Sequence, residues 1–187
     1  MKRSRKKSAR IIGISGKSEA GKSTLAGFIK NYMINPEDGM IISFAGALKS
    51  EMQTAGFEVH KKSPAFRGLA INWGLARRIQ DPDYFITRLI NRNYSYLNDP
   101  GMTIIIDDVR FQNEYDWIEG AGGVLVRVER EWDEDEKSSI GIYANSASET
   151  ELDWRCFHAQ VTAKSGSLWN LKKAVPEVIE LAKKKQK

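Results

Sequence analysis

Apolar residues in this chain gather into short unbroken runs, and the stretches between the runs carry apolar residues at helical spacing. The runs Arg10–Ser15, Met40–Ala45, Met102–Ile106, Val124–Val128 and Phe157–Ala163 predict five strands. Their lack of alternation points to strands covered on both faces, as in a parallel sheet. Lys22–Met33 places Leu25, Phe28, Ile29, Tyr32 and Met33 on one side of a helix. Gly46–Ala55 predicts a short helix, and Pro64–Arg78 a longer one that Gly68 and Gly74 weaken. Asp81-Pro82-Asp83 starts another helix, with Phe85, Ile86, Leu89 and Ile90 on its apolar side. Gln112–Glu119 is helical and closed by Gly120, Gly122 and Gly123. Ser148–Arg155 predicts a short helix, and a last one runs from near Ser167 toward Leu181, kinked or restarted at Pro176. Asn35–Gly39 and Asn98–Gly101 read as turns, and polar residues 131–147, without a period, as a loop or lid. Strands alternating with helices predict an α/β domain with a parallel sheet.

At 187 residues the chain fits one domain with room for its own core. The expected organisation is a basic tail over 1–9, a single domain over 10–182 and a basic tail over 183–187. Within the domain, an acceptor-binding region is expected at about 46–97 and a lid at about 130–148. Cys156 is the one cysteine, so an internal disulfide is excluded. No apolar run is long enough to span a bilayer, and the N-terminus lacks the apolar core of a signal peptide. A cytoplasmic, membrane-free protein is the expectation.

The net charge of +5 suggests nucleic acid until its distribution is considered. Lys2, Arg3, Arg5, Lys6, Lys7 and Arg10 lie at one end, and Lys183, Lys184, Lys185 and Lys187 at the other. Without those ten residues the remainder carries a charge of −5. The ends then read as solubilising tails with at most a weak, salt-sensitive attraction to nucleic acid.

Gly16-Lys17-Ser18-Glu19-Ala20-Gly21-Lys22-Ser23 matches G-x-x-x-x-G-K-[ST] in full, between an apolar strand and an amphipathic helix. Glycines allow such a loop to curl so that successive N–H groups face phosphate oxygens, aided by the positive end of the helix that follows. The loop predicts an ATP site in which Lys22 reaches the β- and γ-phosphates. Ser23 would ligate Mg2+ and Thr24 would lie near the α-phosphate. Asp107 and Asp108 follow the apolar run Thr103–Ile106, where this kind of fold places the acid of the Mg2+ shell. Asp107 is the expected metal residue, and Asp108 is expected to face the substrate side.

Phosphoryl transfer needs cations beyond Lys22, and a phosphorylated acceptor needs arginine. Arg110 follows the strand end, Arg67, Arg77 and Arg78 lie between the second and third strands, and Arg130 closes the fourth. From spacing alone Arg77 and Arg78 are interchangeable. The five tryptophans read as packing residues, with Trp73 singled out because it lies in the acceptor segment. His60 and His158 have no metal-ligand spacing. Glu149 reads as a first-turn acid of its helix.

Asp107-Asp108-Val109-Arg110-Phe111-Gln112-Asn113-Glu114 resembles the D-x-V-R-F-x-N-E signature of phage deoxynucleoside monophosphate kinases. Ser43–Lys49 resembles that family's F-A-x-P-L-K segment, and Arg67 through Asp83 its substrate-binding helix region. Val126–Arg130 followed by Ser148-Glu149 is similar to its strand, arginine and late S-E pair. Gly166-Ser167-Leu168 fits the loop that passes near the adenine of ATP in nucleoside monophosphate kinases. The resemblance, from Ile11 to Leu181, implies a P-loop three-layer sandwich that moves the γ-phosphate of ATP to a deoxynucleoside monophosphate. It further implies that Lys49, Arg78 and Arg110 contact the acceptor, that Arg130 bridges both phosphates, and that homodimers are common. Ala47 and Glu131 stand where the family usually has proline, and the basic residue or histidine before Ser148-Glu149 is missing. Two alternatives stay open: a P-loop kinase of another small phosphorylated acceptor, of phosphomevalonate or dephospho-coenzyme A type, and a nucleic-acid-dependent ATPase. The latter expects a glutamate directly after the strand-end acid, where this chain has Asp108 and Val109.

Overall fold

The structure, a computed structural model, describes residues 8–33, 35–59, 63–131, 146–164 and 167–186. Five strands form one sheet: β1 (Arg10–Ser15), β2 (Gly39–Ile42), β3 (Thr103–Val109), β4 (Val124–Glu131) and β5 (Ala159–Lys164). Their order is β2-β3-β1-β4-β5, and every pairing is parallel. The chain therefore runs from β1 out to the edge strand β2, back to β3, and then across β1 to β4 and β5, so the direction of winding changes beside β1. The crevice beyond the carboxyl end of β1, where that direction reverses, is the place open α/β sheets use for ligands.

Side chains of successive strand residues leave on opposite faces, so each strand feeds two cores. Ile12, Ile14, Ile105, Val124, Val126 and Val128 pack with Leu25, Ala26 and Ile29 of α1 (Lys22–Tyr32) and Leu171, Val175 and Val178 of the C-terminal helix. Ile11, Ile104, Ile106 and Leu125 pack on the other face. Their partners there are Phe44, which precedes α2 (Ala45–Thr54), Phe85, Ile86 and Leu89 of α4 (Tyr84–Arg92), and Ile118 of α6 (Gln112–Gly120). α3 (Pro64–Gln80) contributes to neither core, and its Leu75 and Ile79 are exposed. Ser63 caps it by accepting the Phe66 N–H, and Pro64 occupies the first position. A four-residue helix, α5 (Tyr94–Leu97), follows α4 and is not evident in the sequence. The helix after the polar stretch is α7 (Ala147–Thr150), and the last is α8 (Trp169–Lys185).

Several boundaries differ from the sequence reading. β3 runs three residues further, through Asp107 and Asp108, because Val109 still pairs with Ser15 after a shift of register. β4 extends to Glu131 because Arg130 and Glu131 pair with Ala163 and Lys164 of β5. β2 ends at Ile42, since its partner in β3 leaves the ladder at Ile106. The helix expected over 148–155 covers only 147–150, and turns carry the chain onward. α8 passes Pro176 without a break. Pro176 is on the exposed side, so the carbonyl it leaves without a donor faces that side too, while Leu171, Val175, Val178 and Ala182 hold the helix to the core. Lys183, Lys184 and Lys185 are the last turn of α8 rather than a tail, a position that suits cations at the negative end of a helix. Ala9, placed in the N-terminal tail on sequence, is buried and donates its N–H to the Leu97 carbonyl. Residues 1–7, Lys187, His60, Trp132 and most of the expected lid lie outside the described residues.

Candidate functional site

β1 delivers the chain to the crevice, and the motif turns there. Gly16 has φ 144°, and a Cβ at that position would stand 2.2 Å from the Val128 carbonyl oxygen, so only glycine fits. Gly21 (φ 103°) begins α1 in the left-handed conformation, and Glu19 is the one described non-glycine residue with positive φ. Ala20 is buried, whereas Lys17 and Ser23 are exposed and Thr24 half-buried at the start of α1. The Lys22 ammonium donates to the carbonyls of Gly16 (2.7 Å) and Lys17 (2.6 Å), which draws it across the mouth of the loop. Burial, and then the nearby Arg110 cation, lower its pKa to about 7, against the pull of Glu149, Asp108 and Asp107.

The Ser23 hydroxyl donates to Asp107 Oδ2 at 2.6 Å, so the two residues expected to share a metal do meet. A hydroxyl and a carboxylate side by side, at the exposed edge of a phosphate loop, suit Mg2+. That ion takes one or two protein oxygens and draws the remainder of its shell from phosphate and water. Among the described residues there is no cluster of three or more His, Cys, Asp or Glu that could hold a metal.

Asp108, expected to face the substrate side, turns toward α2, the helix that carries Lys49, and is taken up by its backbone. Its two oxygens accept the N–H groups of Phe44 (2.8 Å) and Ala45 (2.9 Å), at the start of α2. It thereby caps α2 from a neighbouring strand, and burial raises its pKa, opposed chiefly by those two N–H groups. Alternation along β3 explains the split: Asp107 and Asp108 leave the strand on opposite sides, so one meets α1 and the other α2.

The structure separates Arg77 from Arg78. Arg77 donates to Glu51 (3.0 Å), which also accepts from Trp73 Nε1 (3.2 Å) and the Tyr84 hydroxyl. Trp73 also meets Phe57 edge to face, so the tryptophan singled out in the acceptor segment is tied into a cluster of α2, α3 and α4. Arg78 donates to Glu114 Oε1 (2.9 Å), with its guanidinium against the rings of Phe111 (3.7 Å) and Phe85 (4.5 Å). A Cβ at Gly74 would lie 3.1 Å from Arg78 Nη1, a contact that a small movement of the guanidinium can relieve. Glu114 Oε2 accepts the N–H groups of Arg110 (2.9 Å) and Phe111 (3.1 Å), fixing the backbone from which the Arg110 side chain leaves. Burial raises the Glu114 carboxyl to about 7 against the pull of Arg78.

Arg110 donates to the Ser148 carbonyl (2.7 Å) and to Glu149 Oε1 (2.6 Å), and Arg67 reaches the same oxygen at 2.8 Å. Glu149 Oε2 accepts the N–H of Ser18, inside the phosphate loop, at 2.6 Å. Arg130 donates to the Glu19 carbonyl from the end of β4 (3.3 Å). Lys49 is half-buried on α2, and Gly166 lies outside the described residues. Sequence reasoning missed the structural roles of Glu114 and Glu149. It also missed Asp153, which pairs with Arg127 and, at 3.4 Å, with Lys17. Acids in polar stretches carry no periodic signal, and only the late S-E pair hinted at Glu149.

A phosphate loop after the central strand of a parallel sheet, with an acid on the adjacent strand, defines a P-loop fold. Solved structures named as kinases share that fold. The APS kinase of Mycobacterium tuberculosis, in complex with AMPPNP and APS, matches with a TM-score of 0.51 at 13% identity, over 94% of this chain and 98% of that one. The thymidylate kinase of Candida albicans matches with a TM-score of 0.50 at 14% identity, over 96% and 94%. TT1252 of Thermus thermophilus matches with a TM-score of 0.54 at 18% identity, over 92% and 97%. No family model matches the chain, and no curated protein sequence matches it. No described helix is long and apolar enough to cross a membrane.

Proposed function

We propose that the protein transfers the γ-phosphate of ATP to a phosphorylated small acceptor, a deoxynucleoside monophosphate, giving ADP and the diphosphate. The observation that carries this reading is the meeting of Arg67 and Arg110 at one carboxylate that also touches the phosphate loop. Guanidiniums so placed suit a second anion opposite the triphosphate, which a sugar or other neutral acceptor does not bring. Kinase neighbours in the fold and the D-x-V-R-F-x-N-E resemblance support the same reading.

An oxygen of the acceptor phosphate attacks Pγ, the bond from Pγ to the β–γ bridging oxygen breaks, and its electron pair leaves with ADP. The acceptor oxygen is already ionised, so no side chain need act as a general base. Lys22 and the N–H groups of Gly16–Ser23 would neutralise charge on the γ-phosphate and the leaving oxygen. Arg110, with Arg67 and Arg78, would hold the acceptor, and Lys49 would contact it from α2. Arg130, at the Glu19 end of the loop, would span both phosphates. Mg2+, held by Ser23 and Asp107, would screen the triphosphate.

The test is ADP release with ATP and Mg2+ across a panel of deoxynucleoside monophosphates, their ribonucleotide counterparts, phosphomevalonate and dephospho-coenzyme A. Turnover is expected on one or more deoxynucleoside monophosphates. Turnover confined to another member of the panel would move the acceptor assignment, and hydrolysis stimulated by DNA alone would reject it.

Lys22 supplies a pH prediction. With a pKa of about 7 in the empty loop, it is largely neutral at pH 8, and a bound triphosphate favours its charged form. Binding of ATP with Mg2+ at pH 8 should therefore take up most of a proton, and affinity should fall as pH rises above 7. Titration calorimetry in buffers of differing ionisation enthalpy reads this directly. A heat independent of the buffer would show that Lys22 is already charged in the empty loop.

A further inference from the structure

Glu149 is the point where the two halves of the site touch. Its side chain is 3% exposed, although it stands on a helix of only four residues. Oε2 is occupied by the Ser18 N–H of the phosphate loop (2.6 Å), and Oε1 by Arg67 of α3 (2.8 Å) and Arg110 beyond β3 (2.6 Å). The backbone under it is pinned on two sides. Glu151 accepts the Gln112 N–H at the start of α6 (2.8 Å), and Asp153 pairs with Arg127 and Lys17. One carboxylate between two guanidiniums leaves a net positive charge of one, so the trio still attracts a phosphate.

We propose that Glu149 is a positioning residue that docks the two acceptor-side guanidiniums against the phosphate loop, so that acceptor and donor sites are held in register before either substrate arrives. The inference rests on the proposed transfer to a phosphorylated acceptor. Long side chains such as arginine lose much freedom when they bind an anion, and a carboxylate that fixes them beforehand removes part of that cost from the binding step. The carboxylate must reach in two directions at once. Loss of its charge, or shortening by one methylene, should therefore release the arginines without emptying the loop.

The experiment compares wild type with Glu149→Gln and Glu149→Asp. Each variant is assayed for kcat and KM toward the acceptor and for equilibrium binding of ATP, and its melting temperature is recorded. Both variants should lose about 10–100-fold in kcat/KM for the acceptor and change ATP affinity by no more than about threefold. Adding Glu149→Gln to Arg110→Ala should cost clearly less than the product of the two single losses, because the Arg110 contact is shared and only the docking of Arg67 remains to be lost. A second readout needs no turnover: the guanidinium signals of Arg67 and Arg110 in 15N spectra of the substrate-free protein. They should report restricted rotation in wild type and averaging in Glu149→Gln. Absence of wild-type turnover on every acceptor would sink the transfer reading while the arginine signals still decide the positioning. Unchanged arginine signals, additive losses with Arg110→Ala, or tighter binding of the acceptor by Glu149→Gln would overturn it. Tighter binding would mean that the carboxylate competes with phosphate.

Discussion

Lys22→Ala should lower phosphoryl transfer by about 10³-fold while leaving the protein folded. The ammonium lies over the mouth of the loop on the Gly16 and Lys17 carbonyls and belongs to neither apolar core. Its depressed pKa shows that the empty fold gains little from the charge. Truncation therefore removes a cation wanted when negative charge shifts toward the β–γ bridging oxygen, and the resting structure gives up two hydrogen bonds to carbonyls. Those carbonyls can accept from water, so the melting temperature should move by only a few degrees. Rate at saturating substrate, measured beside a thermal melt, separates the two effects. A rate within tenfold of wild type would remove Lys22 from the chemistry. A collapse of the melt would make it a structural residue instead.

The second large effect is expected at Arg110. Arg110→Ala should cut kcat/KM for the acceptor by roughly 10²-fold and leave ATP affinity within a few-fold of wild type. The site is arranged so that this loss stays local. Glu149 keeps the Ser18 N–H and Arg67 when Arg110 is truncated, and so is not left as a buried charge without a partner. The backbone of Arg110 remains held by Glu114. A second consequence links this variant to the donor loop. The Arg110 cation is the next largest cause, after burial, of the low Lys22 pKa, so its removal should raise that pKa and reduce the proton uptake on ATP binding at pH 8. A variant that weakened ATP and acceptor equally would place Arg110 on the donor phosphates.

Much of this fold was legible because its signals are local. Continuous apolar runs revealed strands covered on both faces, and the phosphate loop announced itself through glycines whose φ angles no other residue tolerates. Asp107 was legible because an acid directly after an apolar run stands out, although the strand itself continues to Val109. The pairing of side chains from distant elements was not. Asp108 is adjacent to Asp107 and chemically identical, yet one residue of strand alternation turns it to the N–H groups of α2. Arg77 and Arg78 are told apart by the carboxylate each meets, Glu51 or Glu114, and the two acids are 63 positions apart in a chain whose pairing no spacing encodes. Glu149 reads as an ordinary helix acid until Ser18, Arg67 and Arg110 are seen to converge on it. Pro176 misled for the opposite reason: a local rule was overridden by the apolar face that α8 buries.

The central claim is that a phosphate crosses from the loop at Gly16–Ser23 to an acceptor phosphate held by Arg110 and its neighbours. Incubation with γ-labelled ATP, Mg2+ and each deoxynucleoside monophosphate, followed by separation of the products, tests it most directly. The account predicts label in the β-phosphate of a deoxynucleoside diphosphate, matched mole for mole by ADP. Label appearing only as inorganic phosphate, whichever acceptor is present, would contradict it.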